Sequence, residues 1–287
     1  MKFIEKIFSV KNTEGHKMLT FMGVKFKFKT KKNKHQYNQA QQRNLQAFIL
    51  AGLVNRNLEK YRGIYEGRDI LIVGGGASLD KFQQINNTVN IGINRAFKIQ
   101  NIDFDYLFAQ DNFPLREDIE AFISYKPETC KKMIGYMTKD APFRYRQSDY
   151  ARIKNREMFV INNIEMLECP HDITLEPLAD LCGTVFTALQ FALLTNPKRI
   201  ILAGFDCNTG HFFDEDKKLD LSWQLRSWLM FKEHVDRYYE QVEIISLNPI
   251  NLKGLFNDVY TQSFIEAHPE LNNENLRIIN KQGEIND

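Results

Sequence analysis

From Asp69 to Ser246 the sequence keeps returning to one unit: a short apolar run closed by a small or polar residue, then a stretch with helical spacing. The runs lie at Ile70–Val73, Val89–Ile93, Tyr106–Ala109, Lys132–Tyr136, Phe159–Ile161, Arg199–Ala203 and Val242–Ser246. They are short for helices and mostly apolar without alternation, which is how strands covered on both faces read. Leu115–Ser124, Thr184–Leu194 and Trp223–Tyr239 carry helical periodicity between them. Such alternation predicts an α/β fold with a doubly wound, mostly parallel sheet and helices on both of its faces. The body is expected over residues 66–264, followed by a polar tail, 265–287. Thr138–Glu157, polar and rich in Arg and Tyr, reads as an insertion or lid.

Residues 1–65 have a different texture and read as an appendage. Lys25-Phe26-Lys27-Phe28-Lys29 alternates strictly, a strand period with one apolar and one cationic face. Met22-Gly23 is placed to turn a small hairpin. Asn38–Tyr61 then reads as a helix whose apolar stripe is Leu45, Phe48, Ile49, Leu53 and Leu58. Charge is divided in the same way. Met1–Leu45 holds eleven Lys and Arg against two Glu, a net +9; the whole chain is +2, which leaves −7 for the rest. A basic head on an acidic body points to an anionic surface as partner. Membrane headgroups, met through residues 17–35, are the expectation; nucleic acid is not. The four cysteines, Cys130, Cys169, Cys182 and Cys207, form no C-x-x-C pair, so reduced thiols and a cytoplasmic location are expected. No apolar stretch approaches the ~20 residues that span a bilayer, and the N-terminal apolar run is short for a secretory signal.

In open α/β sheets, ligands bind outside the carboxyl ends of the strands. "ILIVGGGASLDKF", Ile70–Phe82, puts Gly74, Gly75, Gly76 and Ser78 at such an end, where glycines allow a sharp turn and a close backbone approach. A following helix would offer free N–H groups to an anion. The dinucleotide fingerprint is not met, because Leu79 replaces its last small residue and Asn94 stands where a ribose-binding acid is required. The Walker Gly-Lys-Ser/Thr is absent as well. Asn94 offers both a donor and an acceptor. Asp111 closes "YLFAQD", "IILAGFDCNTGH" brings Gly204, Asp206 and Asn208, and "LCGTVFTALQFALL" opens on Cys182, Gly183 and Thr184. Together these residues predict a nucleotide site on one rim.

"ILIVGGGASLDKF", "IGINRAF", "GTVFTALQFALLTNPKRIILAGFD" and "VEIISLNP" occur in an order that resembles the bacterial sialyltransferases of glycosyltransferase family 42. The same outline is similar to a wider set of motility-accessory glycosyltransferases and hydroxymethylpterin pyrophosphokinase-like proteins. The resemblance covers roughly Asp69–Phe256. It implies a Rossmann-like, GT-A-like sheet and a metal-independent, inverting transfer from a CMP-sugar, with no cofactor. Carried over by position, Gly74, Gly76 and Ser78 would follow phosphate and ribose, and Asn94 and Asp111 would hold cytidine. Cys182, Gly183 and Thr184 would line the nucleotide, with Gly204 and Asp206 closing that side. The opening "SVKNTEGHKMLTFMGVKFKFK" resembles segments that precede bacterial surface-glycan transferases, which implies a lipid-linked or surface glycan acceptor at the inner membrane.

The stretch that carries lid tyrosines in that family reads "CNTGHFFDEDKK" here, without Tyr, and Gln224 stands where the family's histidine base falls. His211 is then the candidate general base, since a neutral imidazole near pH 7 suits a sugar hydroxyl. Lys217, Lys218 and Arg226 are candidate partners for the departing phosphate. Asp103–Asp105 reads as a turn away from the rim, His171-Asp172 reads as a loop, and no metal site is expected. The alternatives are a Mg-ATP-dependent pterin pyrophosphokinase-like phosphotransferase and a nucleotide-binding protein without catalysis.

Overall fold

The computed structural model describes residues 8–13, 16–21, 24–29, 45–110, 113, 115–137, 147–162, 169–208, 212, 222–273, 276–280 and 282–285. The chain divides into two compact units, Met1–Gln46 and Ala47–Asp287. In the first, strands β1 (Phe8–Thr13), β2 (His16–Phe21) and β3 (Val24–Lys29) form an antiparallel sheet in the order β1-β2-β3. The alternating lysines of the sequence therefore lie on an edge strand of a three-stranded sheet. The turn at Met22-Gly23 lies outside the described residues.

The second unit is built on nine parallel strands. They are β4 (Asp69–Val73), β5 (Thr88–Ile93), β6 (Tyr106–Ala109), β7 (Lys131–Met137), β8 (Arg156–Asn162), β9 (Leu178–Ala179), β10 (Arg199–Ala203), β11 (Glu243–Leu247) and β12 (Asn257–Val259). The spatial order is β12-β11-β10-β4-β5-β6-β7-β8-β9. From β4 the chain winds outward in one direction to β9, then crosses back to the other side of β4 and winds outward again. This is a doubly wound, Rossmann-like sheet, and strand order reverses between β4 and β10. At their start these two strands are pinned by Arg199, whose guanidinium meets both oxygens of Asp69 at 2.9 and 2.6 Å. That fork fits the register Arg199↔Asp69.

The period of two along each strand feeds two cores. Ile70 and Ile72 of β4, Tyr106 and Phe108 of β6, and Ile200 and Leu202 of β10 face one layer. Leu71 and Val73, Leu107 and Ala109, and Ile201 and Ala203 face the other. Helices α1 (residues 45–54), α2 (Arg116–Ser124), α3 (Gln147–Arg152), α4 (Thr184–Leu194), α5 (Leu225–Tyr238) and α6 (Gln262–Ala267) flank the sheet. All eleven residues of α4 are buried, as an evenly apolar helix requires, and it packs across β9, β6, β5 and β4. On the other face, α2 contributes Phe122 and Ile123. Lys132 is wholly buried there; its ammonium donates to the carbonyls of Tyr125 and Cys130 just beyond α2. Desolvation lowers its pKa.

Two expectations are corrected. The stripe Leu45, Phe48, Ile49 and Leu53 is exposed; the opposite face of α1, with Ala47 and Ala51, packs on Val160 of β8. Alanine lets the helix axis come close to the sheet, which larger side chains would prevent. This contact also moves the boundary of the body from residue 65/66 to 46/47, with Leu58 buried in the two-turn 3₁₀ extension Asn55–Tyr61. In addition, the tail is part of the body. Leu271, Ile279 and Ile285 are buried, Tyr260 bridges Ile278, and Arg199 donates to Ile285 O.

Gly52 lies inside α1, and nothing stands within 4 Å of the position its Cβ would take. Gly52→Ala is therefore expected to stabilise the protein by about 0.5–1 kcal/mol. A thermal melt should show a rise of about 2–4 °C.

Candidate functional site

Two loops leave the sheet on either side of the point where strand order reverses. Gly74 N–H donates to Ala203 O and Gly76 N–H to Gly204 O, both at 2.8 Å, so the loops after β4 and β10 run on as a pair. Their closeness explains the glycines. A Cβ on Gly74 would lie 2.5 Å from Gly204 O and 2.7 Å from the Phe205 ring. One on Gly76 would lie 2.5 Å from the Asp206 carboxyl carbon. Gly204 has φ +72°, and its Cβ would meet Leu79 at 2.7 Å.

Ser78 and Asp206 are buried and spent on each other. Ser78 N–H donates to Asp206 Oδ2 at 2.9 Å, and Ser78 Oγ donates to Oδ1. Burial pushes the Asp206 carboxyl above its ordinary pKa, while the Ser78 and Ala77 donors act in the opposite direction. This pair positions the glycine loop. What the loop turns outward is Gly75, Gly76 and Ala77. The element after it is the one-turn helix Ala77–Lys81, which is too short to serve as the anion-binding helix the sequence suggested.

Helix α4, eleven residues long, has the length that this element lacks. Its N-cap is Gly183, which supplies no capping side chain, so the first N–H groups of the helix have no side-chain acceptor there. Leu181 and Cys182, immediately before it, both have left-handed backbones, φ 42° and 64°. Consecutive bulky residues in that region are uncommon, and such strain gathers at functional sites. Cys182 is exposed. Gln224, just before α5, donates from Nε2 to Cys182 O at 3.2 Å. Gln224 thus braces the entry to α4.

Thr184 Oγ1 donates to Asn94 Oδ1 at 3.3 Å, which joins the end of β5 to the first turn of α4. Among the described residues the Asn94 amide N–H groups meet no acceptor. One turn further, Gln110 at the end of β6 donates to Thr187 Oγ1 at 2.8 Å, and Thr187 donates to Thr184 O at 2.9 Å. Gln110 and Thr187 were not singled out from the sequence. The available signal was polar residues at the close of an apolar run and inside an apolar helix. Phe186 of α4, Trp228 of α5 and Phe205 of the β10 loop form an aromatic chain with centroid separations of 4.9 and 5.7 Å. It links the paired loops to the start of α4.

Asn208 continues the β10 loop, and its Oδ1 is buried without a hydrogen-bond partner among the described residues. Phe212 N–H donates to Gly75 O at 2.8 Å, so Phe212 lies against the glycine loop. The Cys207 thiol is raised to about 11, chiefly by burial. Asp111, His211, Lys217 and Lys218 lie outside the described residues. Among the described residues, no group of three or more His, Cys, Asp or Glu side chains could hold a metal ion. No described helix is long and apolar enough to cross a membrane. Asp103 and Asp105 lie before β6, at the opposite end of the strands, where Asp105 accepts from Asn90 N–H. A cavity of about 300 Å³ lined by Arg62, His171, Asp172, Gln190 and Tyr239 lies beside the far end of α4, away from the paired loops.

The sequence matches no family profile and no curated protein. Among solved structures, a MAf glycosyltransferase from Magnetospirillum magneticum AMB-1 superposes with a TM-score of 0.43 at 12% identity. The superposition covers 73% of this chain and 38% of that one, so this chain spans well under half the length of the protein it is similar to.

Proposed function

We propose that the protein is a glycosyltransferase that takes its sugar from a nucleotide donor, a CMP-linked acid sugar of the sialic type first. The supporting observation is where the sheet reverses. Ligands of open α/β sheets sit at such points, and here the partly exposed loop Gly75–Ala77, Asn94 and the uncapped start of α4 adjoin it. The likeness of four ordered sequence motifs to family 42 supplies the reaction class.

In this reading the donor phosphate lies at the N–H groups of Thr184 and Val185, where the helix dipole favours an anion, while the Gly183 N–H is held by Asp180 O. Asn94 donates to the nucleoside, and Asn208 accepts from it. An acceptor hydroxyl on a surface glycan attacks the anomeric carbon from the face opposite the phosphate. The new C–O bond forms as the bond to the phosphate oxygen breaks, and CMP departs with that electron pair. His211 takes the hydroxyl proton. Each step uses groups of this chain, with no cofactor.

A thermal-shift panel of CMP, CDP, UDP, GDP and ATP, each with and without Mg²⁺, tests the reading. A ligand at 100 times its dissociation constant stabilises the native state by about 2.7 kcal/mol, or about 5–10 °C for a body of this size. Cytidine nucleotides are expected to give that shift without Mg²⁺. A response confined to ATP with Mg²⁺ would replace this reading with the pyrophosphokinase-like one. A cytidine shift without sugar transfer would leave a binding protein.

A further inference from the structure

The pairing register of the N-terminal sheet settles which residues share a face. Residues directly opposite in an antiparallel pair lie on the same side. Across the three strands the rows Ser9–Thr20–Lys25, Lys11–Met18–Lys27 and Thr13–His16–Lys29 alternate with Phe8–Phe21–Val24, Val10–Leu19–Phe26 and Asn12–Lys17–Phe28. One face therefore collects four lysines and His16 and no acidic residue. The other collects seven apolar residues, with Asn12 and Lys17. The sequence shows this alternation in β3 alone; the register extends it over all three strands.

We infer that the lysine-bearing face docks on an anionic lipid bilayer. Lys25, Lys27 and Lys29 follow one another at about 7 Å, and Lys11 lies two strands away from Lys27, about 10 Å. These spacings are close to the screening length at physiological salt, about 8 Å. Like charges at that distance repel, with no carboxylate on the face to offset them. A planar surface of mobile anionic headgroups relieves the repulsion at every lysine at once. Nucleic acid suits the face less well. Single-strand binders combine basic grooves with aromatic platforms and arginine, whereas here the aromatic residues lie on the opposite face and no strand carries Arg. Lys31, Lys32 and Lys34 follow β3 directly in the sequence. The net −7 beyond Leu45 is repelled by the same surface, so attraction is confined to the head.

The inference stands apart from the proposed chemistry and is tested without it. The full chain is sedimented with vesicles of phosphatidylcholine alone and of phosphatidylcholine with 30% phosphatidylglycerol, the mixture being roughly that of an anionic leaflet. Binding is expected only to the anionic vesicles and is expected to be released when salt is raised from about 0.15 to 0.5 M. Each lysine close to such a surface adds about five-fold to partitioning. Lys27→Gln should therefore weaken binding about five-fold, and the quadruple change at Lys11, Lys25, Lys27 and Lys29 by more than about 100-fold. Lys17→Gln, at a register position on the other face, should stay within about two-fold. Equal binding to neutral vesicles overturns the inference. So does a loss for Lys17→Gln that matches Lys27→Gln, or displacement of the vesicles by single-stranded RNA at equal charge.

Discussion

Gly74→Ala is expected to lower stability by about 3 kcal/mol, at the top of the usual range for an added methyl in a packed site. The added carbon has nowhere to go. At 2.5 Å it meets the carbonyl oxygen of Gly204, and at 2.7 Å the ring of Phe205. The first of these is backbone in a left-handed conformation and the second is wedged against Trp228. Relief requires separating the loops after β4 and β10, which breaks the 2.8 Å bonds from Gly74 and Gly76. Thermal denaturation should show a loss of about 6–12 °C, together with loss of any nucleotide-induced shift. A melt within about 2 °C of the parent would mean that the loops are not held together as described.

Asp206→Ala is expected to cost a similar amount, about 3 kcal/mol, because it strands two buried donors, Ser78 N–H and Ser78 O–H. Asp206→Asn separates hydrogen bonding from charge. The amide oxygen still accepts from Ser78 N–H and the amide N–H₂ can donate to Ser78 Oγ, so the loss should stay within about 1 kcal/mol. The pH profiles should also differ. Burial raises the folded-state pKa of Asp206, so the folded protein holds this proton to higher pH than the unfolded chain does. Its contribution is therefore most favourable below the unfolded carboxyl value, near 3.9, and declines as pH rises through the folded value. Denaturant titrations from pH 4 to 7 should show that decline in the parent and not in Asp206→Asn. A parallel pair of profiles would remove the buried charge from the account. The two sites are also coupled: a Cβ on Gly76 abuts the Asp206 carboxyl group, so Gly76→Ala should cost less in the Asp206→Ala background.

The strands were legible because each run is apolar on both faces, as in Ile70–Val73 and Ile200–Ala203. Their order was not, since which strand lies beside β4 depends on a crossover through α4 that leaves no local mark. Strands β9 and β12 were missed because two or three residues carry no period. Periodicity points to the exposed face of α1 because it identifies an apolar stripe without showing what covers it; Ala47 and Ala51 pack closer than leucines could. At the rim, the sequence located Gly74, Gly76, Ser78, Gly204 and Asp206 together. It could not show that these residues approach each other, which needs the positions of Phe205 and Leu79. Gln110 escaped notice beside Asp111 because an uncharged amide at a strand end is ordinary.

Because α4 has no solvent-facing residue, the entry to the crevice is anchored along its whole length to the sheet beneath. A new ligand cannot be accommodated by shifting that floor. In the proposed reading, variation in specificity is confined to short rim positions such as Gly75, Ala77 and Cys182, none of them buried. A library restricted to those codons would diversify recognition while leaving the hydrophobic interior, and hence foldability, untouched.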